Sequence, residues 1–132
     1  RDFYDKQVFF CRDRSVGLLD FDTLARGEPA LDIANALVHF ELRILQRRLA
    51  KEKAVAAAAA FLDGYQPGRF VHSRLLAYLD AARLRLACVY AFRPPQAHLV
   101  LPLLSRIGRP IEHVREQPLK IEAPEKVVQN TG

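Results

Sequence analysis

Three side chains near the start of the chain have types and spacing that suit chemistry on a phosphate: Asp2, Gln7 and Asp20. A carboxylate beside an amide oxygen suits a hard cation such as Mg2+. Such an ion takes oxygen ligands and is commonly held by one or two carboxylates plus phosphate oxygens. A further carboxylate close by can accept a proton from a hydroxyl nucleophile. Metal, phosphate and base are together the components of phosphoryl transfer. Taken singly, each acid is ordinary. An aspartate at a strand end is usually a turn residue, and one in a first helical turn, such as Asp32, usually offsets the helix dipole. The joint spacing of Asp2, Gln7, Asp20 and Asp32 carries the argument.

For these groups to meet, the chain must fold back on itself. Residues 7–11 form a short apolar run rich in strand formers, residues 12–15 are polar and turn-like, and residues 16–21 form a second apolar run. Two such runs with a short polar connection predict an antiparallel hairpin. Symmetric closure by a two- or four-residue loop pairs Cys11 with Val16 and Gln7 with Asp20. Gln7 and Asp20 then face each other with Cα atoms roughly 4.5–5.5 Å apart. A bulge shifts this register by one residue.

Helices are expected after the hairpin. Gly27 and Pro29 break the strand pattern, and Pro29 suits a first helical position. Ala30, Ile33, Ala34, Leu37, Ile44 and Leu45 recur at helical spacing and predict a helix to about Leu49. Residues 51–65 predict an alanine-rich second helix. Ser73 is a candidate cap for a third, with Leu75, Leu79, Ala82, Leu86 and Val89 on its inner face. Pro94 and Pro95 end it, and residues 96–107 predict a short fourth helix around Pro102. The fold class is therefore α+β and mostly helical, a hairpin followed by three or four helices. Strands followed by helices without alternation argue against a parallel sheet. Residues 1–108 are expected to form the folded unit, and residues 109–132, polar and punctuated by prolines, an extended or disordered tail.

The net charge of +5 is unevenly spread. Residues 1–41 hold five basic and eight acidic side chains, whereas residues 42–132 hold fifteen basic and seven acidic. The arginines lie on predicted helices without aromatic interleaving, which reads as a solvated helical surface and not a nucleic-acid patch. Asp5, Lys6 and Asp13 are assigned to solvent-facing loops. His39, His72, His98 and His113 show no metal-ligand spacing. Glu41, near the apolar stripe of the first helix, either sits in water at its edge or faces a cationic substrate. Cys11 and Cys88 are expected as buried free thiols of a reducing cytoplasm. The longest apolar run, residues 54–62, is far shorter than the roughly 20 residues of a membrane span, so no membrane is expected as a partner.

The residues at the front of the chain resemble those of a known family. Kinase catalytic loops read His-Arg-Asp, four residues, then Asn, with a later aspartate after the next hairpin. Here Arg1-Asp2 is followed by Phe3-Tyr4-Asp5-Lys6 and then Gln7, and later by Leu19-Asp20-Phe21-Asp22. Residues 1–35, including Gly27-Glu28-Pro29-Ala30-Leu31-Asp32-Ile33-Ala34, resemble the aminoglycoside phosphotransferase and choline kinase-like family. The likeness covers about a quarter of the chain. It implies that Asp2 is the catalytic base, that Gln7 and Asp20 bind Mg2+ and with it the phosphates of ATP, and that Asp32 braces the catalytic loop. It further implies a partial C-terminal lobe, without the N-terminal lobe that carries a Gly-rich loop and a phosphate-positioning lysine, so the piece by itself is expected to be inactive. Gln7 stands where the family has asparagine. Asp22 stands where protein kinases have glycine, and is either an extra metal ligand or a solvent-facing acid. Only a few residues separate Asp20 from the next helix, which leaves no room for a peptide-docking loop and points to a small-molecule hydroxyl as acceptor.

Two alternatives accompany this expectation. One is a pseudokinase or helical interaction module without catalysis. The other rests on residues 18–23, Leu-Leu-Asp-Phe-Asp-Thr, which also resemble the first motif of haloacid dehalogenase-type phosphatases. That family has threonine or valine four residues after its first aspartate, where this chain has Leu24, and it needs an α/β sheet downstream.

Overall fold

The computed structural model describes residues 3–22 and 24–111. The strand-forming runs pair as β1 (Val8–Phe10) and β2 (Val16–Leu18), an antiparallel hairpin. Its register differs by one residue from symmetric closure: Phe10 faces Val16, Phe9 faces Gly17 and Val8 faces Leu18. The turn chemistry explains the shift. Cys11 C=O accepts from Arg14 N at 3.0 Å, and Cys11 N donates to Ser15 O at 2.9 Å. Arg14 adopts the left-handed conformation with φ 69°. A tight turn followed by one left-handed residue makes an odd-length loop, which slides the strands by one position. Asp13 fastens it, its Oδ1 accepting from Ser15 N at 3.0 Å and from Ser15 Oγ at 2.7 Å. These two bonds hold the exposed Asp13 carboxyl below its ordinary value of 3.8.

The Phe9 ring lies directly on the bare backbone of Gly17, where an added Cβ would sit 2.0 Å from Phe9 Cζ. The opposite face carries Phe10, Val16 and Leu18, all exposed.

Beyond the hairpin come α1 (Pro29–Leu45), α2 (Lys51–Tyr65), α3 (Arg69–Ala91), a 3-10 segment (Pro94–Leu99) and α4 (Val100–Leu104). The expected α+β order is what the chain adopts. Pro29 opens α1, and the Glu28 side chain accepts from Ala30 N at 3.3 Å, satisfying one of the free amides of the first turn. The helix stops four residues short of Leu49. Arg47 turns left-handed (φ 55°), and the amides of Arg48 and Leu49 both fold back to Arg43 O. α2 buries only Ala54, Ala58 and Leu62, one residue per turn. α3 begins four residues before Ser73, whose Oγ bonds back to Phe70 O inside the helix and caps nothing. Leu75, Leu79, Ala82 and Leu86 are buried as expected, joined by Arg83, Ala87 and Tyr90, whereas Val89 is exposed. Pro102 falls in the first turn of α4, where a missing N–H costs no helical bond.

The core is one cluster, with Ile33, Leu37 and Leu42 of α1 set against Leu75, Leu79 and Leu86 of α3, closed by Leu62, Leu99 and Leu103. Each fully buried side chain of this size contributes about 1.5–3 kcal/mol of transfer free energy.

Two of the arginines expected on a solvated surface lie inside it. Arg83 is fully buried. Its Nε and Nη2 donate to the two Glu41 oxygens at 3.0 and 2.8 Å. Its Nη1 donates to Arg106 O at 2.8 Å and Arg109 O at 2.6 Å, with Asp80 Oδ1 at 3.2 Å. Glu41 therefore neither faces water nor a substrate; it neutralises Arg83. Asp80 in turn accepts from Gly108 N at 3.0 Å, and Ile111 packs into the core. The packed unit thus includes residues 109–111, three beyond the expected boundary, and the rest of the expected tail lies outside the described residues. Cys11 is half-buried and Cys88 exposed, both free, so the expectation of two buried thiols does not hold. Arg43 is the second buried arginine. No helix among the described residues is long and apolar enough to cross a membrane.

Removing one partner of a buried ion pair leaves the other charge uncompensated, at about 3–5 kcal/mol. Arg83→Ala is therefore expected to lower the unfolding free energy by about that amount in urea titration, a far larger loss than an exposed arginine gives. At the turn, the Asp13 contribution to stability is present above its unfolded value and is lost as pH falls through its lower folded value. An NMR titration of the Asp13 carboxyl is expected to show a midpoint below 3.8, moving upward in Ser15→Ala, which removes the largest cause of the shift.

Candidate functional site

The site is built from the segment before β1, the end of β2 and the start of α1. Residues 3–7 lie along α1 and are held by polar side chains at every fourth position of that helix. Asn35 Nδ2 donates to Phe3 O at 2.7 Å. The His39 ring lies against the Tyr4 ring, with centroids 4.6 Å apart. Arg43 donates twice to Asp5, Nε to Oδ2 at 2.9 Å and Nη2 to Oδ1 at 2.8 Å. Asn35, His39 and Arg43 are all buried. The hydrogen bonds it donates to Asp5 hold the Arg43 guanidinium above its ordinary value, against the opposing effect of burial. Asp5 was expected in a solvent-facing loop; it is instead the anion of a two-point contact with a buried cation.

With residues 3–5 fixed, the chain makes one 3-10 turn, Asp5–Gln7, and enters β1. Gln7 is buried, with its backbone N donating to Tyr4 O at 3.0 Å. Its side-chain Oε1 accepts from Tyr4 N at 3.3 Å, and its Nε2 donates to Asp20 Oδ2 at 3.4 Å. The ladder pairs Gln7 with Leu19, whose N donates to Gln7 O at 2.9 Å. Asp20 nonetheless reaches the amide, because its own backbone turns left-handed (φ 66°) directly after the strand. Aspartate tolerates that conformation better than most residues.

Gln7, Asp20 and Asp32 line one cleft of about 860 Å³. Its apolar wall includes Phe3, Phe61 and Tyr65, with ring centroids 6.1 Å apart for Phe3 and Phe61 and 6.4 Å for Phe61 and Tyr65. Glu28 is at the rim, in an ion pair with Arg74 of α3. Of the sequence-derived candidates, the fold thus brings together Gln7, Asp20 and Asp32. Asp22 is exposed and does not line the cleft. Asp2 lies outside the described residues.

Among the described residues, no three His, Cys, Asp or Glu side chains come close enough to share a metal ion. Mg2+ does not need such a nest. It retains waters and accepts one carboxylate with phosphate oxygens, and Asp20 with Gln7 fits that pattern in residue type. The amide presents its nitrogen to Asp20, so sharing a cation requires the carboxamide to turn and release Tyr4 N. The two-stranded hairpin is the only sheet among the described residues.

Asn35, His39, Arg43 and their partner Asp5 are the residues that sequence reasoning passed over. The signal was present: three polar residues spaced by four within a helix whose neighbouring positions are apolar. Asp5→Ala leaves Arg43 without its carboxylate. It is expected to lower the unfolding free energy by about 2 kcal/mol, the buried-pair cost reduced for Asp5's partial exposure. Chemical denaturation distinguishes this from the change of within about 0.5 kcal/mol that a solvent-facing aspartate gives.

Comparison with protein-family models, with curated proteins and with solved structures finds no match for this chain.

Proposed function

We propose that this chain is the catalytic-loop lobe of an ATP-dependent phosphotransferase that moves the γ-phosphoryl group to the hydroxyl of a small molecule. The observation that carries the reading is that Gln7 and Asp20, 13 residues apart in sequence, come into contact and line one cleft with Asp32. The contact survives a one-residue slip of the strands because Asp20 adopts a left-handed backbone. In this reading Asp2 accepts the proton of the acceptor hydroxyl. Asp20 and Gln7 hold Mg2+, and Asp32 braces the loop from the first turn of α1. The ion, when bound, neutralises charge on the ATP phosphates. Phe3 and Phe61 form an apolar wall of the cleft. An N-terminal lobe supplies the Gly-rich loop and the phosphate-binding lysine. The cytoplasm, with its ATP and Mg2+, is the compartment that goes with this reading, and neither nucleic acid nor membrane is its partner.

One observation favours the non-catalytic alternative, a pseudokinase or interaction module. The Gln7 oxygen is engaged by Tyr4 N, and the nitrogen, which cannot bind a cation, faces Asp20.

The two readings part in an ATP turnover assay against hydroxylated amines and sugars, run on protein carrying the N-terminal lobe. Asp2→Asn is expected to lower kcat by at least about 100-fold, the usual worth of a general base, and Asp20→Ala to abolish Mg2+-dependent turnover. Unchanged turnover in both variants removes these residues from any mechanism.

A further inference from the structure

We infer that Asn35, His39 and Arg43 of α1 are positioning residues for the Gln7 and Asp20 pair; the inference rests on the phosphotransfer reading above. The connection is continuous. Asn35 fixes Phe3 through its carbonyl, His39 fixes the Tyr4 ring, and Arg43 fixes the Asp5 carboxylate at two points. Tyr4, held between two anchored neighbours, aims its N–H at Gln7 Oε1 and its carbonyl at Gln7 N. That sets which end of the carboxamide reaches Asp20. Asn35 is itself oriented, since its Oδ1 accepts from Arg85 at 2.6 Å and leaves Nδ2 for Phe3.

Stability alone does not account for polar residues here. A buried ion pair is often no more stabilising than well-packed apolar residues of similar volume. Leucine or alanine at these three positions would extend the apolar stripe already present at Ile33, Ala34, Leu37 and Val38. What hydrogen bonds add is direction. A two-point contact between a planar guanidinium and a carboxylate fixes both distance and plane. Misplacement by about 1 Å is enough to cost on the order of 100-fold in rate at a reacting centre.

Asn35→Asp separates direction from bulk. It is isosteric and still accepts from Arg85, yet it can no longer donate to Phe3 O. Arg43→Gln removes the two-point contact, and Arg43→Lys keeps the charge with one donor point. Two readouts are needed. In amide hydrogen exchange, Asn35→Asp and Arg43→Gln are expected to speed exchange at Gln7 by about tenfold or more, with α3 core amides unchanged. In the turnover assay, both are expected to lower kcat by about 10- to 100-fold and to raise the Mg2+ concentration for half-maximal rate, with acceptor KM within about twofold. Arg43→Lys recovers part of each. Unchanged exchange at Gln7, unchanged kcat, or a kcat loss that only tracks the unfolded fraction overturns the inference. If Asp2→Asn and Asp20→Ala abolish turnover while Asn35→Asp and Arg43→Gln do not alter it, the positioning role fails and phosphotransfer stands. If the two acid variants keep full turnover, phosphotransfer fails and the positioning role falls with it, even where exchange at Gln7 has risen.

Discussion

A helix buried on nearly every side must satisfy the polar groups it carries inward, and in α1 these include Asn35, His39, Glu41 and Arg43. Burying an unpaired charge costs several kcal/mol, so the position of each of these side chains dictates where a second piece of chain must lie. Glu41 requires a cation and takes Arg83, which fixes α3 and, through its remaining donors, the turn at residues 106–109. Arg43 requires an anion and takes Asp5, which fixes the segment leading into the hairpin. The two ion pairs recruit different parts of the chain. One closes the helical core and the other attaches the part that bears the candidate chemistry.

This division explains why a hairpin of six paired residues can be placed with precision. Two isolated strands are marginal in water, and this pair exposes Phe10, Val16 and Leu18 on one face. Its position comes from elsewhere, from residues 3–5 on α1 before it and from the helix entry at Glu28 and Pro29 after it. Gln7 and Asp20 lie at its open end.

The element order was legible because it depends on local patterns: apolar runs broken by a polar turn, then helical periodicity with Pro29, Gly64 and Pro94 as punctuation. The approach of Gln7 to Asp20 was legible for a related reason, since a hairpin brings its ends together whatever its register. The register itself was not, because it turns on Arg14, a residue type that gives no sign of adopting a left-handed backbone. The end of α1 was missed by four residues, where amides fold back to Arg43 O, and the cap of α3 by five, lying at Gly68 and not at Ser73. Asp5, Arg43 and Arg83 were misassigned to solvent by the rule that charged residues face water. That rule fails where two opposite charges are buried together, and composition cannot reveal a partner 38 or 42 residues away.

The orientation of the Gln7 amide follows from the same geometry. Asparagine at this position would be shorter by one methylene and would have to choose between Tyr4 N and Asp20. Glutamine spans both, bonding its own loop with the oxygen and the facing strand end with the nitrogen. The extra methylene therefore ties the loop to the hairpin through the side chain, in addition to the backbone bond from Leu19. The same tie sets a condition on metal binding. A cation shared by Asp20 and Gln7 would draw the oxygen away from Tyr4 N and the nitrogen away from Asp20, at a cost of two partly buried hydrogen bonds of about 0.5–1.5 kcal/mol each. In the proposed phosphotransfer reading, that cost would be set against the attraction of a divalent ion for the Asp20 carboxylate.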